Sequence, residues 1–142
     1  MPLDFRIDVN RGLVRSTATG VLDVPGALDH MERLVKHPDF RPEFNQIFDF
    51  REVTRPSLTY EDVILLAERT VFSPHSQRAF VVSADWQFGY GRMFATLRSA
   101  NGESGIMVFR SMKEAADWLG VPEEPDPIPG RELNSAGTPT PQ

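Results

Sequence analysis

The run Ala79-Phe80-Val81-Val82 carries no polar side chain, and it constrains the fold of this chain more than any other segment. A strand with one wet face alternates polar and apolar residues, so an unbroken apolar run bounded by polar ones marks a strand covered on both faces. Such a strand needs helices packed against its sheet, and the flanking sequence supplies them.

Toward the N-terminus the period is two. Leu3, Phe5, Ile7 and Val9 alternate with Asp4, Arg6 and Asp8, and after the turn Asn10-Arg11-Gly12 the segment from Leu13 to Thr19 reads as a partner strand. The period then changes. Asp23 caps a helix with Pro25 in its first turn and Val24, Ala27, Leu28, Met31, Leu34 and Val35 on one face, and His37-Pro38 stops it. A short strand from Gln46 to Phe50 and a polar loop from Arg51 to Ser57 lead to a second helix, whose capping box is Thr59 with Asp62. Its apolar positions are Tyr60, Val63, Leu66, Ala67 and Thr70 or Val71. The double-faced strand follows, from Arg78 to Ser83.

A third helix opens at Asp85 or Trp86, with Tyr90, Met93, Phe94 and Leu97 as its stripe. Gly105 to Phe109 is a fifth strand. Ser111 and Glu114 then box the start of a fourth helix that Gly120 ends. The order is ββαβαβαβα, an α/β domain built on a five-stranded mixed sheet with four helices, parallel after the second strand and joined by right-handed crossovers. Residues 1–121 make one domain. From residue 122 to 142 the periodicity stops, and half of the chain's 12 prolines lie in this acidic stretch, which is expected to be a disordered tail.

Composition narrows the chemistry. The 142 residues include no cysteine, which removes thiolate nucleophiles and cysteine-built metal sites. A net charge of −5 argues against general nucleic-acid binding. No apolar run is long enough to span a bilayer and the first residues do not read as a secretion signal, so a cytoplasmic protein is expected. His30, His37 and His75 lie apart, and no metal-ligand spacing is present.

Phe48-Asp49-Phe50-Arg51, Phe88-Gly89-Tyr90-Gly91-Arg92-Met93-Phe94, and Val108-Phe109-Arg110-Ser111 running into Glu114-Ala115-Ala116-Asp117-Trp118-Leu119, taken with the element order, resemble the SpoIIAA-like family of small bacterial proteins. The resemblance covers roughly residues 3 to 121 and implies the STAS-type fold of anti-sigma-factor antagonists. It implies a non-enzymatic regulatory or protein-interaction module, without cofactor, that meets a protein partner or a second copy of itself. In STAS relatives a serine or threonine at the start of the helix after the third strand is phosphorylated. The matching segment runs from Val53 to Thr59, with Ser57 the nearest positional equivalent and Thr59 a second candidate phosphorylation site, although it departs from the aspartate, paired serines and glycine of the STAS pattern. Related folds also hold small apolar ligands, which is the alternative function.

Asp49 is a carboxylate in an otherwise apolar strand. It reads either as a ligand anchor at the carboxyl end of a central strand or as a strand-ending aspartate bonded to the next loop or to Arg51. Gly89 and Gly91 lack the third glycine of a dinucleotide fingerprint and read as positions of close helix approach. Trp86, Phe88, Tyr90 and Phe94 read as core or as the lining of a crevice between residues 51–58 and 83–90. Asp49, Arg51, Trp86 and Tyr90 are thus the candidate ligand-binding residues, converging with Ser57 and Thr59 on one edge of the sheet. No residue stands out as catalytic.

Overall fold

The computed structural model describes residues 3–125. Strands β1 (Leu3–Asp8) and β2 (Leu13–Asp23) form the opening hairpin. They are followed by α1 (Val24–Lys36), β3 (Asn45–Ser57), α2 (Tyr60–Ala67), β4 (Arg78–Val81), α3 (Asp85–Ala100), β5 (Ile106–Phe109) and α4 (Met112–Leu119). The five strands lie in the sheet in chain order, β1 antiparallel to β2 and every later neighbour parallel. The expected tail from residue 122 falls mostly outside the described residues. Its first part lies against β2, where Arg15 Nη1 donates to the Glu123 carbonyl at 3.0 Å.

Strand order dictates where the helices go. Each crossover advances the sheet by one strand in the same direction, so right-handed connections place α1, α2 and α3 on one face. α4 follows the last strand without a crossover and covers the other face. Its Ala115, Met112, Trp118 and Leu119 pack on Leu13, Ile47, Ala79 and Val81. Across the sheet, Leu3, Ala18, Phe48, Phe80 and Ile106 form a second core with Phe94 and Ala95 of α3. Val14, Leu34, Phe40 and Phe72 form a third beneath α1. β4 is therefore buried on both faces, as its apolar run requires.

The local signals are realised where capping fixes them. The Asp23 side chain accepts from Gly26 N–H at 2.9 Å, Thr59 and Asp62 exchange both bonds of their box, and Ser111 Oγ accepts from Glu114 N–H. Gly120 closes α4 in the left-handed conformation, φ 70°.

The loop expected from Arg51 to Ser57 is strand instead. β2 runs on to Asp23, past the expected end at Thr19, and offers a ladder as far as Asp23↔Ser57. β3 takes up one extra residue in each of two irregularities, opposite Thr17/Thr19 and Gly20/Val21. β4 pairs only with Gln46 to Asp49, so the rest of β3 is an edge, which accepts exposed polar residues and Pro56. Polarity marked this segment as a loop because an edge strand carries the same residue types.

Candidate ligand cavity

Alternation along β3 separates residues that are neighbours in sequence. Phe48 and Phe50 point toward the three-helix face, stacked with centroids 4.2 Å apart, and Phe80 meets Phe50 at 5.3 Å. Asp49 points the other way, into a polar groove beside α4 that it shares with Arg51, Arg15 and Met112. Its carboxylate accepts from Arg51 N–H, Nε and Nη2 at 2.9–3.0 Å, and the resulting bond holds the Arg51 guanidinium above its ordinary pKa. Of the two readings the bonded aspartate is the one found, tied to Arg51, although β3 does not end there but continues to Ser57. The expected convergence of Asp49 and Arg51 with Trp86 on one site is not, because residues of odd and even position here lie on opposite faces of the sheet.

On the three-helix face, between the sheet and its helices, lies a cavity of about 120 Å³. Phe48, Phe50, Val53, Pro56 and Phe80 form its floor, the first four set on one side of β3 by the strand's two irregularities. Val63 and Leu66 line it from α2, which packs chiefly on α1 and α3. Ala27, His30 and Met31 close it from α1, and Trp86, Gln87, Tyr90, Gly91 and Phe94 from α3. Leu22, Pro56, Leu58 and Trp86 gather at the carboxyl ends of β2, β3 and β4. This is where open α/β sheets place ligands.

Trp86, 38% exposed, and Tyr90 make an edge-to-face pair, and the Tyr90 hydroxyl donates to the Leu58 carbonyl at 3.0 Å. Gln87 ties this corner together. Its Oε1 accepts from Ser83 and Ala84 N–H while its Nε2 donates to the Val53 carbonyl at 2.9 Å. A methyl group on Gly91 would sit 3.1 Å from Val108, so α3 approaches β5 closely there, whereas Gly89 faces open space. Phe88 lies under the guanidinium of Arg110 and outside the cavity.

Ser57 ends β3 as an exposed residue rather than opening a helix. Thr59 is the N-cap of α2, its hydroxyl engaged by Asp62 N–H at 3.1 Å and the Asp62 carboxylate bonded to its own N–H. Neither residue lines the cavity. His37 ends α1 and His75 lies in the loop before β4. Among the described residues no group of histidines and carboxylates is placed to hold a metal ion, and no helix is long and apolar enough to cross a membrane.

One feature of this face is invisible to periodicity. A buried polar chain runs beneath the cavity from α1 to α3. His30 Nε2 meets Ser16 Oγ at 3.1 Å, and Gln46 Nε2 donates to the same hydroxyl at 3.0 Å. Arg78 Nε donates to Gln46 Oε1 at 3.0 Å, and Arg78 Nη1 to Glu103 at 2.7 Å. Glu103 also faces Arg98 at 3.5 Å, and Arg98 Nη1 donates to the Ala67 carbonyl at 2.8 Å. All six side chains are at most 8% exposed. Burial, seconded by Arg33 and Arg78, lowers the His30 pKa to about 4, so its ring is neutral at pH 7. Burial also lowers Arg78, against the pull of Glu103. The sequence signal was slight: a serine and a glutamine at inward strand positions, and an arginine opening the apolar strand.

The architecture defines an α/β domain with a SpoIIAA-like fold and an apolar cavity under its helices. Among solved structures it is similar to an uncharacterised protein of the DUF3478 family with a SpoIIAA-like fold from Shewanella loihica PV-4. The TM-score is 0.54 at 18% identity, covering 82% of this chain and 91% of that one. No family model and no curated protein matches the sequence. The fold expected from the resemblance is thus the fold found.

Proposed function

We propose that this domain is a non-enzymatic binding module that encloses a small apolar molecule between β3, α2 and α3. The observation that carries this reading is the cavity itself. Its volume of about 120 Å³ approaches that of the roughly 150 Å³ engineered apolar cavity that stays dry and takes up benzene. Its walls are almost wholly apolar, and its few polar groups mostly spend their bonds on neighbouring backbone and on buried side chains behind the wall, His30 on Ser16, Gln87 on Val53 and Tyr90 on Leu58, which suits recognition by shape and burial. Among the described residues that line the cavity none pairs a nucleophile with a base, and the Ser16 hydroxyl that meets His30 lies outside the lining, which supports binding over catalysis.

Toluene is the direct probe. Titrated into methyl-labelled protein, it is expected to shift the methyl resonances of Val53, Val63 and Leu66 while leaving Leu119 and Val121, under α4, unmoved. Cavity methyls left unmoved both by saturating toluene and by its carboxylate analogue benzoate would overturn the reading.

A second reading, a protein-interaction surface, is favoured by the exposure of Tyr60, Leu65 and Trp86 on α2 and the start of α3. Replacing Trp86 and Tyr60 with serine should then abolish co-purification of a stoichiometric partner or the formation of a homodimer from the full chain. Unaltered assembly in the double variant would remove this surface from consideration. Phosphorylation at Thr59 is disfavoured by the Asp62 carboxylate already bonded there, whereas Ser57 is open to solvent. Intact mass of the protein from its native host would reveal a phosphate at Ser57.

A further inference from the structure

The buried side of the cavity carries an unbalanced charge. Among the described residues the buried ionised side chains are Arg78, Arg98 and Glu103, two cations against one anion, and His30 beside them is neutral. Uncompensated charge in a protein interior is costly, so buried ions are ordinarily paired. Glu103 has one oxygen on Arg78, and its other oxygen only faces Arg98 at 3.5 Å without a hydrogen bond.

Of the two arginines, Arg78 lines the cavity. Its Nε is used by Gln46 and its Nη1 by Glu103, and Nη2 makes no hydrogen bond among the described residues. The guanidinium is held in place by Phe72, 4.4 Å from the ring centroid, and by Phe80 and Phe94, both of which also line the cavity. A rigid cation with a spare donor thus stands at the inner end of an otherwise apolar chamber.

We propose that the ligand is a small organic anion, an aromatic or short aliphatic carboxylate. Its apolar body lies against Phe48, Phe50 and Phe80, and its carboxylate meets Arg78 Nη2. A carboxylate there accepts a charge-assisted hydrogen bond and cancels the interior's excess charge, while the apolar body fills the space that water would occupy poorly. An arginine so restrained loses little freedom on binding. This inference rests on the reading of the cavity as a ligand site and adds to it the charge and chemical class of the occupant.

The test compares benzoate with benzamide and toluene, which share its ring but carry no charge, on the full chain at pH 7. Dissociation constants come from amide and arginine Nε–H chemical shifts. Benzoate is expected to bind at least ten-fold more tightly than either neutral probe and to move the Arg78 Nε–H resonance. Arg78→Met, which leaves the Arg98–Glu103 pair balanced, is expected to bind toluene and lose the preference for benzoate. Equal affinity for the three probes, or benzoate shifts confined to exposed arginines such as Arg55 and Arg92, would overturn the anion while leaving the apolar cavity standing. If toluene and benzoate both fail to bind, the cavity reading itself falls. Because the three-probe comparison uses the unaltered chain, it decides the matter even if Arg78→Met does not fold.

Discussion

Glu103 is the single anion in the buried network, 1% exposed, and it holds the interior together in a way no surface carboxylate does. Glu103→Gln leaves two arginines buried without a counter-charge, and loss of one partner from a buried pair costs about 3–5 kcal/mol. The Lys36–Glu32 pair is as short, at 2.6 Å, yet it is fully exposed, so Glu32→Gln should change stability far less than Glu103→Gln. Urea unfolding of both variants gives the comparison, and similar losses would mean that Glu103 is solvated in solution. His30 makes its own contribution. Its pKa is about 4 in the folded chain against 6.5 for the free side chain, so the unfolded state takes up the proton first as pH falls. Its stability is complete above pH 6.5, declines between pH 6.5 and 4, and is reduced by about 3 kcal/mol below that window. Arg33 and Arg78 deepen the shift and Asp29 and Asp4 oppose it. The difference in unfolding free energy between wild type and His30→Gln should therefore shrink on going from pH 7 to pH 4.5, and a constant difference would show that the ring is hydrated.

Element by element, what could be read in advance followed from local chemistry. Caps at Asp23, Thr59 and Ser111, the Gly120 stop and the apolar run of β4 involve residues a few positions apart, and each stands where the sequence puts it. The failures involve partners far away. β3 could not be seen to continue through Arg51–Ser57 without knowing that β2 runs alongside, and α3 buries Gln87 and Arg98 instead of a purely apolar stripe because the Val53 and Ala67 carbonyls receive them. Trp86 and Tyr90 were legible as one helix face, because helical spacing keeps them together, but whether that face was core or crevice was not. Asp49 was legible as an oddity, but its face was not. The glycine content of α3 and the β5 entry separates the same two kinds of information. Gly105→Ala would place a methyl 2.1 Å from the Ser76 carbonyl oxygen, with backbone as the obstacle, and is expected to cost about 3 kcal/mol or prevent folding. Gly89→Ala meets nothing and should stabilise α3 by about 0.5–1 kcal/mol. Thermal unfolding of the pair checks both signs.

For the whole molecule, strand order sets the division of labour. Sequential strands send three helices to one face, and α2, packed chiefly on its helical neighbours, leaves space over β3, whereas α4 packs directly on Leu13, Ile47, Ala79 and Val81 of the other face. A void maintained under a short helix gives up packing energy, at about 24 cal/mol per Å³ in a well-studied core, and such a loss is retained where binding needs the room. Val63→Phe tests this trade. Val63 is 3% exposed, faces the cavity from α2, and a ring in its place would project into the empty volume. The variant is expected to gain about 1 kcal/mol of stability from the filled space and to lose toluene binding altogether. An Ala115→Val control on α4, at a fully buried position packed against Leu13, Ile47 and Val81, should lose stability by overpacking while keeping the cavity's binding. If Val63→Phe instead destabilises the domain as the control does, the space under α2 is already occupied by side chains in solution, and the chamber on which ligand binding rests does not exist.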